Sequence, residues 1–148
     1  IDLALSYATV FIPKIHDWAV NDSLCMHFKL ARKNKQKVFN FLKNYAKSKK
    51  EYEQRVVAVM LLAHFLDDDY IDQVTKMLDQ LKINSYYAKM GVAWAFATIL
   101  AKYPDKGLTY MKAHNLDNWA YKKTIQKAIE SYRVTEDLKQ TLRIMKNN

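Results

Sequence analysis

The sequence predicts an all-α fold, an alpha-alpha superhelix of stacked antiparallel helix pairs, and three observations lead to it. The 148 residues include only two glycines and two prolines, so few positions could form the tight turns of a β-sheet protein. Apolar residues recur at helical spacing along nearly the whole chain. Trp18, Tyr52, Tyr86 and Ala120 are spaced by 34 residues, a period typical of helical repeat proteins.

Nine segments carry this helical spacing and are predicted to be helices. They cover approximately residues 2–11, 16–31, 35–47, 51–66, 69–82, 84–103, 105–115, 118–132 and 135–146. Pro13 interrupts the chain after the first segment, and Thr135 offers a cap for the last. We expect Asn84 or Ser85 to cap the sixth helix. We expect Asp68 or Asp69 to cap the fifth, so the aspartate run there indicates a helix start rather than a metal site.

The composition indicates one soluble domain over residues 1–148. Half of the residues are apolar or aromatic, which is enough to form a core. Cys25 is the only cysteine, so an internal disulfide is impossible and we interpret this residue as part of the core. With neither a long apolar run nor a signal peptide in view, a cytoplasmic protein is expected. Because Ile1 opens directly into an amphipathic pattern, we expect further helices of the full-length protein to precede it.

The positive charge of the chain is unevenly distributed. The formal net charge is +9, and no acidic residue lies between Asp22 and Glu51. Nine basic residues lie in that interval: Lys29, Arg32, Lys33, Lys35, Lys37, Lys43, Lys47, Lys49 and Lys50. Such a block attracts nucleic acid phosphates, although a solvated helix face would have the same composition.

A second column of the repeat is basic. Three residues after the aromatic column, the same period aligns Asn21, Arg55, Lys89 and Lys123. In helical solenoids the second helices of the pairs line one concave wall, so we expect both columns to lie along or just beneath that wall. The sequence therefore predicts a basic groove in which Lys89 and Lys123 contact nucleic acid.

Trp18 and Asp22 are separated by four residues and share one face of a helix. A carboxylate beside an aromatic surface can stabilise a cationic, sugar-like transition state and can activate water. The alternative is a core tryptophan beside a surface aspartate. The four histidines lie on different segments and form no catalytic triad or metal-ligand spacing.

Together these motifs resemble a known family. Trp18-x-x-x-Asp22, then Tyr-x-Gln-Arg at 52–55, then Tyr86-Tyr87 followed by Trp94 are similar in order and spacing to the motifs of the DNA alkylation repair enzymes, the HEAT-like-repeat DNA glycosylases. The resemblance covers essentially all 148 residues. It implies a C-shaped solenoid that holds duplex DNA containing alkylated bases. It further implies that the protein acts as a monomer and requires no metal or organic cofactor.

The resemblance also implies a reaction and roles for individual residues. The reaction is hydrolysis of the N-glycosidic bond of cationic purines, such as 3-methyladenine and 7-methylguanine, without base flipping. Asp22 matches the catalytic carboxylate, and Trp18 and Trp94 match the tryptophans that face the backbone of the damaged nucleotide. Tyr86 matches an aromatic residue of the same wall, and Arg55 matches an arginine that contacts the DNA backbone.

The sequence departs from the family pattern in two ways, and both leave alternatives open. Active members usually carry a basic residue three positions after the second tryptophan, where this chain has Ala97. The helices that normally precede the first motif are mostly missing. A non-catalytic DNA-structure-binding protein of the same family is therefore a second hypothesis. A protein-binding helical scaffold is a third, because solenoids commonly bind peptides in their concave wall.

Overall fold

The computed structural model describes all 148 residues, and every regular element in it is helical. The nine α-helices are α1 (Asp2–Phe11), α2 (Trp18–His27), α3 (Lys35–Tyr45), α4 (Glu51–His64), α5 (Ile71–Gln80), α6 (Tyr86–Lys102), α7 (Pro104–Lys112), α8 (Asn118–Glu130) and α9 (Glu136–Asn147). Two 3-10 turns, Ile12–Lys14 and Lys29–Lys33, complete the chain. None of the helices is long and apolar enough to cross a bilayer. The predicted all-α superhelix is confirmed.

The helices form two layers. In the first layer α2, α4, α6 and α8 pack side by side in chain order. In the second layer α3 and α5 pack against α4, α7 packs against α6, and α9 packs against α8. Each helix therefore contacts mainly its neighbours along the chain, as expected for a solenoid. Both predicted columns lie in the first layer.

The core consists of two apolar clusters that follow one another along the first layer. The larger cluster has 25 buried residues between Ala8 and Ile99, and the smaller has 8 between Ala97 and Leu142. They meet at α6, which packs against α4, α7 and α8, as its apolar sequence predicts. Cys25 lies in the larger cluster, fully buried, and burial raises the pKa of its thiol. The interpretation of Cys25 as a core residue is confirmed.

Both glycines of the chain lie inside helices at points of close contact. A Cβ atom at Gly107 would lie 2.9 Å from Leu100 Cδ2 and 3.0 Å from Leu100 Cα, so α7 approaches the backbone of α6 too closely for a side chain. Gly91 has the same role between α6 and α4, where the added Cβ would lie 3.3 Å from Arg55 Cγ. The glycines therefore serve helix packing rather than turns.

The carboxyl-terminal end of the predicted helix 16–31 is wrong, because α2 ends at His27. The imidazole Nε2 of His64, on α4, lies 2.7 Å from the carbonyl oxygen of Cys25. In a continued α-helix the N–H of Lys29 would donate to this same Cys25 carbonyl. His64 takes that carbonyl instead, and the chain continues as the 3-10 turn Lys29–Lys33.

The predicted caps are confirmed in part. Thr135 Oγ1 accepts a hydrogen bond from the Leu138 N–H, as expected. The predicted cap at Asp68 or Asp69 is wrong, because α5 begins at Ile71 with Tyr70 at the N-cap position and no side-chain cap bond. The aspartate that bonds in the turn before the helix is Asp67. Its Oδ1 accepts from the backbone N–H groups of Asp69 and Tyr70, both at 3.0 Å. The Ser85 hydroxyl makes no cap bond to α6.

His64 makes the stability of the fold depend on pH. Burial lowers the pKa of His64, and its ring accepts a hydrogen bond from Arg32 Nε at Nδ1, 3.3 Å away, so the folded state favours neutral imidazole. The unfolded chain binds a proton more readily, and therefore this contribution is fully present above the ordinary histidine pKa and is lost as the pH falls below it. We expect urea denaturation to show falling stability from pH 7 to pH 5, with a slope of at most about 1.4 kcal/mol per pH unit from this residue.

The matched variant for this prediction is His64→Gln, which keeps a neutral amide at the same place. It should be less stable than wild type at pH 7 but should lose less stability on acidification. A pH dependence identical in both proteins would contradict the assignment to His64.

Candidate functional site

Asp22 of α2 and Arg55 of α4 form a largely buried bidentate ion pair. Arg55 Nε lies 3.0 Å from Asp22 Oδ1, and Arg55 Nη2 lies 2.8 Å from Asp22 Oδ2. The side chains of Arg55 and Asp22 are 8% and 16% exposed. Two parallel hydrogen bonds fix the plane of the carboxylate as well as its position. The remaining exposed part of Asp22 is therefore held in one orientation.

The third side-chain nitrogen of Arg55 is also bonded inside the protein. Nη1 donates to the backbone carbonyl of Tyr87, on α6, at 2.8 Å. The aliphatic part of Arg55 lies over Gly91, where there is no side chain to displace it. In this structure the guanidinium links three helices and supports Asp22. Its predicted contact with a DNA backbone remains a prediction.

A side chain at position 91 should disturb this support. The Cβ and methyl groups of a Gly91→Val variant would occupy the space of the Arg55 side chain, and overpacking of this kind costs about 1–3 kcal/mol. We expect a matching loss in the free energy of unfolding, measured by urea denaturation. Ala101→Val is the control, since it places the same β-branched residue on α6 at a half-buried position. Equal losses in the two variants would argue against a special role for Gly91.

Trp18 is the first residue of α2, and its indole is 50% exposed. The start of the helix is fixed by Asp17, whose Oδ1 accepts from the N–H groups of Ala19 and Val20 at 2.7 and 3.1 Å. One turn on, the buried Asn21 ties α2 to α4 by donating from Nδ2 to the carbonyl of Tyr52 at 2.9 Å. An exposed indole and an oriented carboxylate therefore occupy neighbouring turns of one anchored helix.

A second cluster joins the amino ends of α6 and α8. The rings of Tyr86 and Trp119 are 57% and 38% exposed, and their centroids are 5.8 Å apart. Lys89 Nζ lies 5.9 Å and Lys123 Nζ 5.5 Å from the centroid of the Trp119 ring. Cation–π attraction at these distances holds both ammonium groups near the indole. The predicted residues Tyr86, Lys89 and Lys123 are thus brought together around a tryptophan.

Lys89 is not a free cation in this cluster. Its Nζ lies 2.6 Å from Oδ2 of Asp117, whose Oδ1 caps α8 through the Ala120 N–H at 2.7 Å. Burial alone would raise the pKa of Asp117, but the hydrogen bonds from Lys89 and Ala120 outweigh it and hold that pKa below its usual range. The positive charge of Lys89 is therefore largely compensated within the protein.

The first layer as a whole carries nearly balanced formal charge. Its four helices and their amino-terminal caps contain seven basic residues and six acidic ones: Lys50, Arg55, Lys89, Lys102, Lys122, Lys123 and Lys127 against Asp17, Asp22, Glu51, Glu53, Asp117 and Glu130. Most of the net charge of +9 is consequently carried by the second layer, α1 and the loops. The predicted basic groove is limited to local cations in the first layer, and the nine-residue basic block lies largely on and around α3.

Trp94 lines a separate groove of about 350 Å³ between α6 and the end of α8. The walls include Ala97, Lys127 and Arg133 but neither Trp18 nor Asp22. Ala97 is only 7% exposed. The groove thus contains two cations, Lys127 and Arg133, close to Ala97, the position at which the family pattern has a basic residue.

Sequence reasoning missed Trp119, Lys127 and the internal partners of Arg55 and Lys89. A fixed 34-residue period places Ala120 in the aromatic column. The first residues of α6 and α8, Tyr86 and Asn118, are only 32 residues apart. Trp119 is therefore the second residue of its helix, as Tyr52 is in α4. Alignment by helix start rather than by period would have found it.

Comparison with protein families places the chain among known proteins. The family model described as DNA alkylation repair enzyme matches residues 3–131. That range includes the Asp22 and Arg55 pair, Trp18, Trp94 and the cluster of Tyr86 and Trp119. Comparisons with curated proteins and with solved structures gave no significant match. The family match covers most of the 148 residues and agrees with the all-helical fold, and on these grounds the chain belongs to the DNA alkylation repair enzyme family.

Proposed function

We propose that the protein is a DNA glycosylase that hydrolyses the N-glycosidic bond of cationic N-alkylated purines, 3-methyladenine and 7-methylguanine, in duplex DNA without flipping the base. The observation that carries the proposal is the oriented, partly exposed carboxylate of Asp22 beside the half-exposed indole of Trp18. Membership of the DNA alkylation repair family supports DNA as the substrate.

The proposed chemistry needs little more than an oriented negative charge. The alkylated purine already carries a positive charge, so when its bond to C1′ breaks, the bonding electron pair neutralises the leaving base. Positive charge then develops on the sugar as an oxocarbenium ion. The Asp22 carboxylate stabilises this cation, and water adds to C1′ and loses its proton to Asp22 or to solvent. Arg55 acts by positioning Asp22.

The aromatic and basic side chains have binding roles in this proposal. The exposed faces of Trp18, Tyr86 and Trp94 offer contact surfaces for deoxyribose and for the cationic lesion. Lys123 lies beside Trp119 and supplies local attraction for phosphates, while Lys89, paired with Asp117, helps to hold the Trp119 indole. Lys127, in the Trp94 groove, provides a cation near Ala97.

The deciding experiment is base release from methylated duplex DNA. Purified protein is incubated with N-methylated DNA, and released 3-methyladenine and 7-methylguanine are measured by chromatography. We expect release above the rate of spontaneous depurination. Release no faster than in a reaction without protein would overturn the glycosylase proposal.

One specific observation supports a second function, DNA binding without excision. Position 97 holds a buried alanine where active family members carry a basic residue, and every side-chain nitrogen of Arg55 is bonded within the protein. On this alternative the protein binds DNA with an affinity that falls steeply with salt, and no base is released. The same assay, paired with a binding measurement, separates the two functions.

A further inference from the structure

A lysine-lined cleft of about 690 Å³ lies in the second layer, between α3 and α5. Five lysines line it, and no acidic residue does: Lys43, Lys47, Lys49, Lys76 and Lys82. All five are exposed, and the apolar residues of the wall are Phe39, Ala46 and Met77. We call this surface the lysine cleft.

None of the five ammonium groups forms an ion pair within the protein. Lys43 Nζ lies 5.5 Å from the centroid of the Phe39 ring, which keeps that ammonium group against the wall. In the first layer, by contrast, Arg55 and Lys89 are both neutralised by aspartates. The cleft is thus a concentrated positive surface without ion pairs.

The position of the cleft relates it to the candidate functional site. Lys49 lies in the loop that leads into α4, and Lys82 lies in the loop that leads into α6. Tyr52 and Tyr86 lie directly after these two loops, in the first turns of α4 and α6. The cleft therefore adjoins the end of the stack at which the exposed aromatic rings lie.

We propose that the lysine cleft binds the phosphodiester backbone of DNA, as a second contact distinct from the Trp18 and Asp22 site. Lysine ammonium groups act as point charges that attract phosphates irrespective of base sequence. The volume lies in the range of pockets that enclose a small ligand, so the cleft accommodates a short stretch of one strand. Because the seven basic residues of the first layer are nearly balanced by its six acidic ones, this contact supplies most of the salt-dependent affinity. The inference relies on the proposed function only in taking DNA as the ligand.

The test is the salt dependence of binding to an unmodified DNA duplex, measured by fluorescence anisotropy. In the cleft variant Lys43, Lys47 and Lys76 are replaced by glutamine. Each lost phosphate contact lowers the slope of log affinity against log salt by about 0.9, so we expect the slope to fall by about 2 to 3 and affinity at low salt to fall by about tenfold or more.

The control variant removes the same net charge from three other lysines of the second layer. Lys37→Gln, Lys106→Gln and Lys139→Gln are suitable because Lys37 and Lys106 are already paired with Asp2 and Asp72, and Lys139 lies on α9. We expect its slope to change by less than about 1. Equal changes in the cleft and control variants would overturn the proposal.

Two further measurements complete the design. If tripolyphosphate binds wild type but not the cleft variant, while the DNA slope is the same in both, the cleft is a site for free oligophosphates and the DNA assignment is wrong. The second measurement is single-turnover base release by wild type. Absence of base release in wild type would overturn the glycosylase proposal and leave the binding result intact.

Discussion

Replacing Asp22 with asparagine is expected to reduce release of 7-methylguanine from methylated duplex DNA by about 100-fold or more, the usual effect of removing a group that stabilises transition-state charge. The negative charge that opposes the developing oxocarbenium ion is lost, while Trp18 and the lysines remain. Binding to an unmodified duplex should change by less than about threefold, because the carboxylate itself only repels phosphates. Single-turnover release and anisotropy measure the two effects separately.

Asp17→Asn is the matched control for this substitution. It removes the same charge from the same end of α2, and asparagine caps helices as well as aspartate does. We expect it to release base at the wild-type rate. Because Asp22→Asn also places an amide opposite the Arg55 donors, Asp22→Glu is a second variant that keeps the charge and displaces the carboxylate. Wild-type release by a folded Asp22→Asn protein would exclude Asp22 as the catalytic carboxylate.

Replacing Arg55 with methionine should cause the largest loss of stability of any substitution considered. The change leaves the Asp22 carboxylate without a partner at a site where it is only 16% exposed, and breaking a buried ion pair in this way costs about 3 kcal/mol or more. The Tyr87 carbonyl also loses its donor. Urea denaturation of wild type and variant measures the difference in the free energy of unfolding.

A double-mutant cycle tests whether the loss comes from the orphaned carboxylate. The Asp22→Asn, Arg55→Met double variant should be more stable than Arg55→Met alone, because no unpaired charge remains. Arg143→Met serves as the control, since its pair with Glu136 is exposed and should contribute less than about 1 kcal/mol. Strict additivity of the two single changes would show that the ion pair contributes nothing beyond its separate side chains.

The helices and the layer that holds the candidate site could be predicted from the sequence because both follow from local pattern. Apolar periodicity places all nine helices, and the position of Thr135 is enough to identify it as a cap. The end of α2 could not be predicted, because His64, far along the chain, takes the Cys25 carbonyl. A tertiary hydrogen bond of this kind leaves no trace in the local pattern.

The grouping of the candidate site residues was predictable, but their electrostatic state was not. The column that aligns Arg55 and Lys89 correctly places both in the first layer. Whether a cation is free depends on which acidic residue lies opposite it, and Asp22 and Asp117 come from helices distant in sequence. The repeat column therefore predicted a basic groove in the first layer, whereas the larger positive surface lies on the basic block around α3.

The division of the core at α6 has a consequence for the dynamics of the molecule. With 25 buried residues against 8, the body that contains Asp22 and Arg55 has a larger apolar cluster than the end formed by α7, α8 and α9. Transient opening of that end would leave the Asp22 and Arg55 ion pair assembled while separating Tyr86 from Trp119 and Lys89 from Asp117. A ligand bound across those residues would contact both the body and the carboxyl-terminal helices. Its binding would therefore make α7, α8 and α9 more rigid.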